Sequence, residues 1–93
     1  MAVLKHHEVD EVLSDLSGWE RDGDQIVREW TFPTFRDAIS FVVRVSYEAE
    51  QVNHHPDIDI RYNRVRLALS THSEGGITGN DIDLARTLDG VSP

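Results

Sequence analysis

Three of the five histidines stand where their side chains could move protons. The run Glu50-Gln51-Val52-Asn53-His54-His55-Pro56 sets a carboxylate four residues before a His-His pair, which a proline closes. His72 follows ten residues after Tyr62, and Asp81 nine residues after His72. Unperturbed imidazole titrates near neutrality, so two or three imidazoles around one cleft suit general acid–base transfer. A carboxylate beside an imidazole holds its tautomer or favours its charged form. Glu50 and His54 are spaced i, i+4 and share a face if the helix reaches that far. Adjacent histidines at a helix end point in different directions, so His54 and His55 are expected to have different tasks.

The same residues fit two other readings. Histidines at a helix C-terminus also act as caps, where imidazolium meets the helix dipole. Three His and a Glu are also enough donors for zinc, although adjacent histidines lack the usual i, i+3 or i, i+4 ligand spacing. We expect no metal. No nucleophile is supported: Ser70, Thr71 and Ser73 flank His72 without a reliable route to its ring. Gly75, Gly76 and Gly79 make no phosphate loop, because no lysine accompanies them. His6 and His7 are expected on the surface, ahead of the first helix.

The elements that must position these groups are legible from periodicity. A first helix is predicted over Glu8–Leu16, with Val9, Val12, Leu13 and Leu16 on one face. Two strands, Trp19-Glu20-Arg21 and Gln25–Phe32, flank Asp22-Gly23 as a hairpin turn, which sets Trp19 opposite Ile26. Ile26, Trp30 and Phe32 then share a face interrupted by Arg28. Thr34 caps a second helix that carries Phe35, Ala38, Ile39, Val42, Val45, Ala49 and Val52 and ends near Asn53, because Pro56 disfavours helical geometry at His55. A second hairpin turns at Tyr62-Asn63, placing Ile60 opposite Val65, Ile58 opposite Leu67 and Asp59 opposite Arg66. His72 continues the parity of Arg64, Arg66, Ala68 and Ser70, away from the apolar side, provided that the strand persists. Thr78 caps the last helix, with Asp81 completing a capping box, Ile77 stapled onto Ile82, and Gly90 as the stop. The order is α-β-β-α-β-β-α: an α+β two-layer sandwich, with a four-stranded antiparallel sheet covered by helices on one face.

Composition narrows the possible functions. The chain has 93 residues, no cysteine and a net charge of -8. That length predicts a single domain over 1–93, with a core about 8–89. A chain this short buries only about two-thirds of its unfolded surface, so association would add to its stability. The lack of cysteine removes disulfides, thiol nucleophiles and cysteine-liganded metals. Nine basic residues against seventeen acidic ones argue against direct nucleic-acid binding or an anionic membrane surface. No transmembrane span or signal peptide is expected at Met1-Ala2-Val3-Leu4 or elsewhere. The expectation is a soluble cytoplasmic protein, and a homo-oligomer, dimer or tetramer, through an exposed sheet edge.

The chain resembles the pterin-4a-carbinolamine dehydratases. The resemblance rests on Glu50-x-x-x-His54-His55-Pro56, Tyr62, His72 and Asp81, and covers about residues 8–89. It is extended by Gly18-Trp19, Phe32-x-x-Phe35-x-x-Ala38-x-x-Phe41, Tyr62-Asn63-x-Val65, Leu69-Ser70-Thr71-His72 and Asp81-Ile82-Asp83-Leu84-Ala85. Where family members often carry Glu-Cys after Thr-His, this chain has Ser73-Glu74. The resemblance implies dehydration of 4a-hydroxytetrahydropterin to quinonoid dihydropterin in tetrahydrobiopterin recycling, with no metal or organic cofactor. It implies His54 and His72 as acid and base and His55 as a catalytic-site group that binds and orients the pterin. Glu50 and Asp81 would hold an imidazole or line the pocket, and Trp19 would offer an aromatic wall or simply belong to the core. The family's second role, stabilising dimers of a homeodomain transcription factor in animals, implies the alternative: a non-catalytic dimerisation, assembly or coactivator module on the same fold.

Overall fold

The computed structural model describes residues 2–93; Met1, the start of the N-terminal stretch considered above, lies outside them. The elements are α1 (His6–Leu13), β1 (Glu20–Asp22), β2 (Gln25–Thr31), α2 (Phe35–Val52), β3 (Asp57–Arg61), β4 (Arg64–Leu69) and α3 (Gly79–Val91). The strands form one antiparallel sheet in the order β1-β2-β4-β3. This is the predicted α-β-β-α-β-β-α arrangement. Ile26, Trp30, Val65, Leu67 and Leu69 form the sheet's buried face, and they share one apolar cluster with Val9, Leu13, Ala38, Phe41, Val45, Ile82, Leu84, Ala85 and Leu88 from the helices. Among the described residues, no helix is long and apolar enough to cross a membrane.

The β3–β4 hairpin has the predicted register: Ile60 faces Val65, Asp59 faces Arg66 and Ile58 faces Leu67. Tyr62 makes the turn with a φ of 55°. The β1–β2 hairpin is offset. Its turn falls on Gly23-Asp24, with Asp22 opposite Gln25, so Arg21 rather than Trp19 faces Ile26. Gly23 accepts the positive φ of 62° that the turn requires. The offset is two residues, so side-chain parity survives and the buried face is unchanged.

Other boundaries also differ from expectation. α1 begins at His6, two residues early, where the Glu8 carboxylate accepts the Lys5 backbone N–H at 2.8 Å. It stops at Leu13, and Leu16 is buried from the following turn. His6 is therefore helical rather than preceding the helix, though it remains on the surface beside Asp24. α3 runs through Gly90 to Val91. β4 ends at Leu69, so the strand parity does not reach His72, which lies exposed in the turn before α3. On α2 the buried residues are Ala38, Phe41, Val45 and Ala49, whereas Phe35 and Val52 are exposed. Phe41 enters the core through ring contacts with Trp30 and Phe32.

Two carboxylate links tie peripheral pieces to this core. Arg21 donates to Asp10 across α1 and β1 at 2.9 Å. That hydrogen bond holds the Asp10 carboxyl below its usual range and raises Arg21. Asp89 accepts from the Trp19 indole at 2.8 Å and from Arg28 at 2.7 Å. Arg28 also lies over the Trp30 ring, 4.6 Å from its centre, which accounts for a cation on the apolar side of β2.

Candidate active site

The site is assembled where α2 ends and α3 begins. Asn53 adopts the left-handed conformation (φ 50°, ψ 45°). The His54 N–H donates to the Ala49 carbonyl at 3.1 Å and the Asn53 N–H to the Glu50 carbonyl at 3.2 Å. This paired closure is the Schellman pattern, and an asparagine fills the position more often held by glycine. The reversal turns His54 out of the helical path and back towards α3.

There it meets Asp81. His54 Nε2 lies 2.5 Å from Asp81 Oδ1. The His54 side chain is 15% exposed and that of Asp81 is fully buried. The other Asp81 oxygen accepts from the Thr71 hydroxyl and the Thr78 backbone N–H, each at 2.9 Å. The predicted capping box at α3 therefore does two things. It closes the helix start, and it aims one carboxylate oxygen at an imidazole.

His55 has a different partner. Its Nε2 lies 2.9 Å from Glu50 Oε2, in an exposed pair. The i, i+4 expectation of Glu50 with His54 is thus corrected: the left-handed residue breaks the helical spacing, and Glu50 takes His55 instead. The two histidines do diverge as expected. His72 follows Thr71 directly, so the residue that donates to Asp81 adjoins the third candidate imidazole.

Trp19 is only 4% exposed, packs edge-on against Trp30 and donates to Asp89. Those surroundings match the core reading of this residue. Beside His54 lies a cleft of about 140 Å³ lined by Val52, Asn80, Asp83, Leu84 and Thr87. A larger hollow of about 300 Å³, between Phe32, Phe41, Arg44 and Val91, contains no imidazole. Of these two, the smaller cleft is the one lined by a candidate imidazole, His54. Among the described residues, no three His, Asp or Glu side chains are grouped so as to hold a metal ion.

Thr71 was missed as a site residue. Its contact depends on a tight return, closed by the Thr71 N–H donating to the Gly76 carbonyl at 2.8 Å. Residue periodicity carries no signal for such a turn.

The profile of the pterin 4 alpha carbinolamine dehydratase family matches residues 2–91. This chain belongs to that family. A Mycobacterium avium protein named "Putative pterin-4-alpha-carbinolamine dehydratase" is 53% identical over 91 residues, covering 98% of this chain and 97% of that protein. A Roseiflexus castenholzii protein of the same name is 50% identical over 90 residues, covering 97% of each. Among solved structures, a transcriptional coactivator/pterin dehydratase from Brucella melitensis superposes with a TM-score of 0.92 at 35% identity, over 98% of this chain and 99% of that one. A pterin dehydratase-like RuBisCO assembly factor of the alpha-carboxysome shares the fold, with a TM-score of 0.68 at 17% identity over 80% of this chain and 88% of that one. Membership in the pterin dehydratase family supports a dehydratase function.

Proposed function

We propose that this chain dehydrates 4a-hydroxytetrahydropterin to quinonoid dihydropterin by histidine acid–base catalysis, as in tetrahydrobiopterin recycling by a soluble cytoplasmic enzyme. The observation that carries the reading is His54 held at 2.5 Å by a buried, doubly hydrogen-bonded Asp81. An imidazole anchored in this way, at the edge of a cleft, is built to exchange a proton. In the reaction, one group gives a proton to the 4a-hydroxyl, the C4a–O bond breaks, and water leaves. A base takes the N5 proton, and the N5–C4a double bond forms. One proton is given and one is taken, so the step is redox-neutral. His54 and His72 are the acid and base, and His55, steadied by Glu50, binds and orients the pterin.

The test is dehydration of substrate generated in situ. The wild-type chain is expected to outpace buffer, and His72→Ala to lose most of that gain. A wild-type rate equal to buffer would sink the reading. Activity lost to a chelator and restored by zinc would replace it with a metal mechanism. The alternative, a non-catalytic assembly or coactivator module, draws support from the assembly factor that shares the fold. The presence of His54, His55 and His72 together favours the enzyme, since a scaffold has no use for such a trio.

We also propose a homo-oligomer, at least a dimer. β3 is an edge strand exposed along its whole length, including Ile58 and Ile60. Light scattering at micromolar concentration is expected to give a multiple of the 10.6 kDa chain mass. A monomeric mass would refute it.

A further inference from the structure

The proposed reaction requires His54 to act, but it does not say which ring nitrogen acts, nor does it use Thr71. We infer that Thr71 is a positioning residue: it holds the Asp81 carboxylate against His54, and Asp81 in turn fixes His54 in the Nε2–H tautomer and leaves Nδ1 as the atom that exchanges a proton with the substrate. The inference rests on the acid–base reading of His54 above.

The direction of each hydrogen bond follows from the donor inventory. With Asp81 ionised, its carboxylate has only acceptors, and the hydrogen between Asp81 Oδ1 and His54 Nε2 sits on the imidazole. The Thr71 hydroxyl hydrogen is committed to Asp81 Oδ2. The 2.8 Å contact between the Thr71 and Thr78 hydroxyls is therefore donated by Thr78. Thr78 Oγ1 in turn accepts the Asn80 backbone N–H at 3.2 Å. The chain runs one way, from the start of α3 through Thr78 and Thr71 to Asp81. Thr71, Thr78 and Asp81 are all buried, so water cannot readily substitute for a missing member.

Both fixed donors, the Thr71 hydroxyl and the Thr78 N–H, fall on Oδ2. They prevent the carboxylate from rotating, which leaves Oδ1 as the oxygen that faces the ring. Among the described residues, His54 Nδ1 has no hydrogen-bond partner. A neutral His54 thus presents a lone pair at Nδ1, and a protonated one presents an N–H there.

The arrangement also dictates what Asp81→Asn would do. The two donors would demand the amide carbonyl at Oδ2, so the amide NH₂ would face His54. Nε2 would then have to accept, and the ring would switch to the Nδ1–H tautomer. A misplaced tautomer of this kind is costly in other imidazole–carboxylate pairs.

The experiment is ¹⁵N–¹H correlation NMR of the imidazole rings, paired with kinetics. Wild-type His54 is expected to show the Nε2–H pattern. Asp81→Asn is expected to show the Nδ1–H pattern and at least a tenfold lower kcat. Thr71→Val should keep the Nε2–H tautomer, since either carboxylate oxygen only accepts, but loosen the ring's orientation, with a lower kcat and little change in KM, and Thr71→Ser should restore kcat. An Nδ1–H pattern in the wild type, which needs no variant to fold, would overturn the inference. So would a Thr71→Val protein with wild-type kcat. A wild type with the Nε2–H pattern but no dehydratase activity would overturn the reaction and the role of Nδ1, while leaving the Asp81-imposed tautomer standing.

Discussion

Replacing His54 with alanine is expected to lower kcat/KM for dehydration by about 10²- to 10⁴-fold, the usual contribution of one positioned acid or base. The geometry makes this imidazole the best-anchored of the candidates. It is the one ring whose carboxylate partner is fully buried, whereas the Glu50–His55 pair is exposed. A group held this firmly meets the substrate in one orientation, and that is where proximity and alignment lower a barrier. The loss should appear in kcat, and added imidazole should restore part of it by diffusing into the vacated space. Circular dichroism on the same sample separates this from unfolding. A variant within threefold of wild type would remove His54 from the mechanism.

Asp81→Ala is expected to destabilise the fold by several kcal/mol, at about 1–3 kcal/mol for each buried donor left without an acceptor. Three donors lose their acceptor at once: the His54 ring, the Thr71 hydroxyl and the Thr78 backbone N–H. The last of these sits at the start of α3, where the capping box also disappears. Domains of this size are stable by about 5–15 kcal/mol, so the variant would lose a large share of its margin. Urea unfolding checks this, as a lower midpoint with an unchanged slope. A change below about 1 kcal/mol would mean that the network contributes little beyond orientation.

The parts of the fold legible in the sequence are those governed by repetition. Ile58 and Ile60 against Val65, Leu67 and Leu69 leave one register for a two-residue turn, and that register is found. In the first hairpin, Gly23 suits either of two turn placements, and the strands slide by two residues without moving any side chain to the other face. The Thr78–Asp81 capping box is legible because it is local. The His54–Asp81 pair is not, since it joins residues 27 apart across two helix ends. Helical spacing nominates Glu50 instead, and one residue's dihedral angles overrule it. Thr71 is hidden for a similar reason: strand parity fails where β4 gives way to a turn. Arg28, which breaks an apolar face in the pattern, becomes intelligible once its contacts with Asp89 and the Trp30 ring are seen.

The left-handed Asn53 has a thermodynamic consequence. An L-residue other than glycine enters that region at a cost, and asparagine enters it more readily than most. Folding meets that cost, together with the rotamer entropy of His54, before any ligand arrives. Binding then has one less side chain to order, so more of the substrate's intrinsic binding energy remains available for the reacting bond.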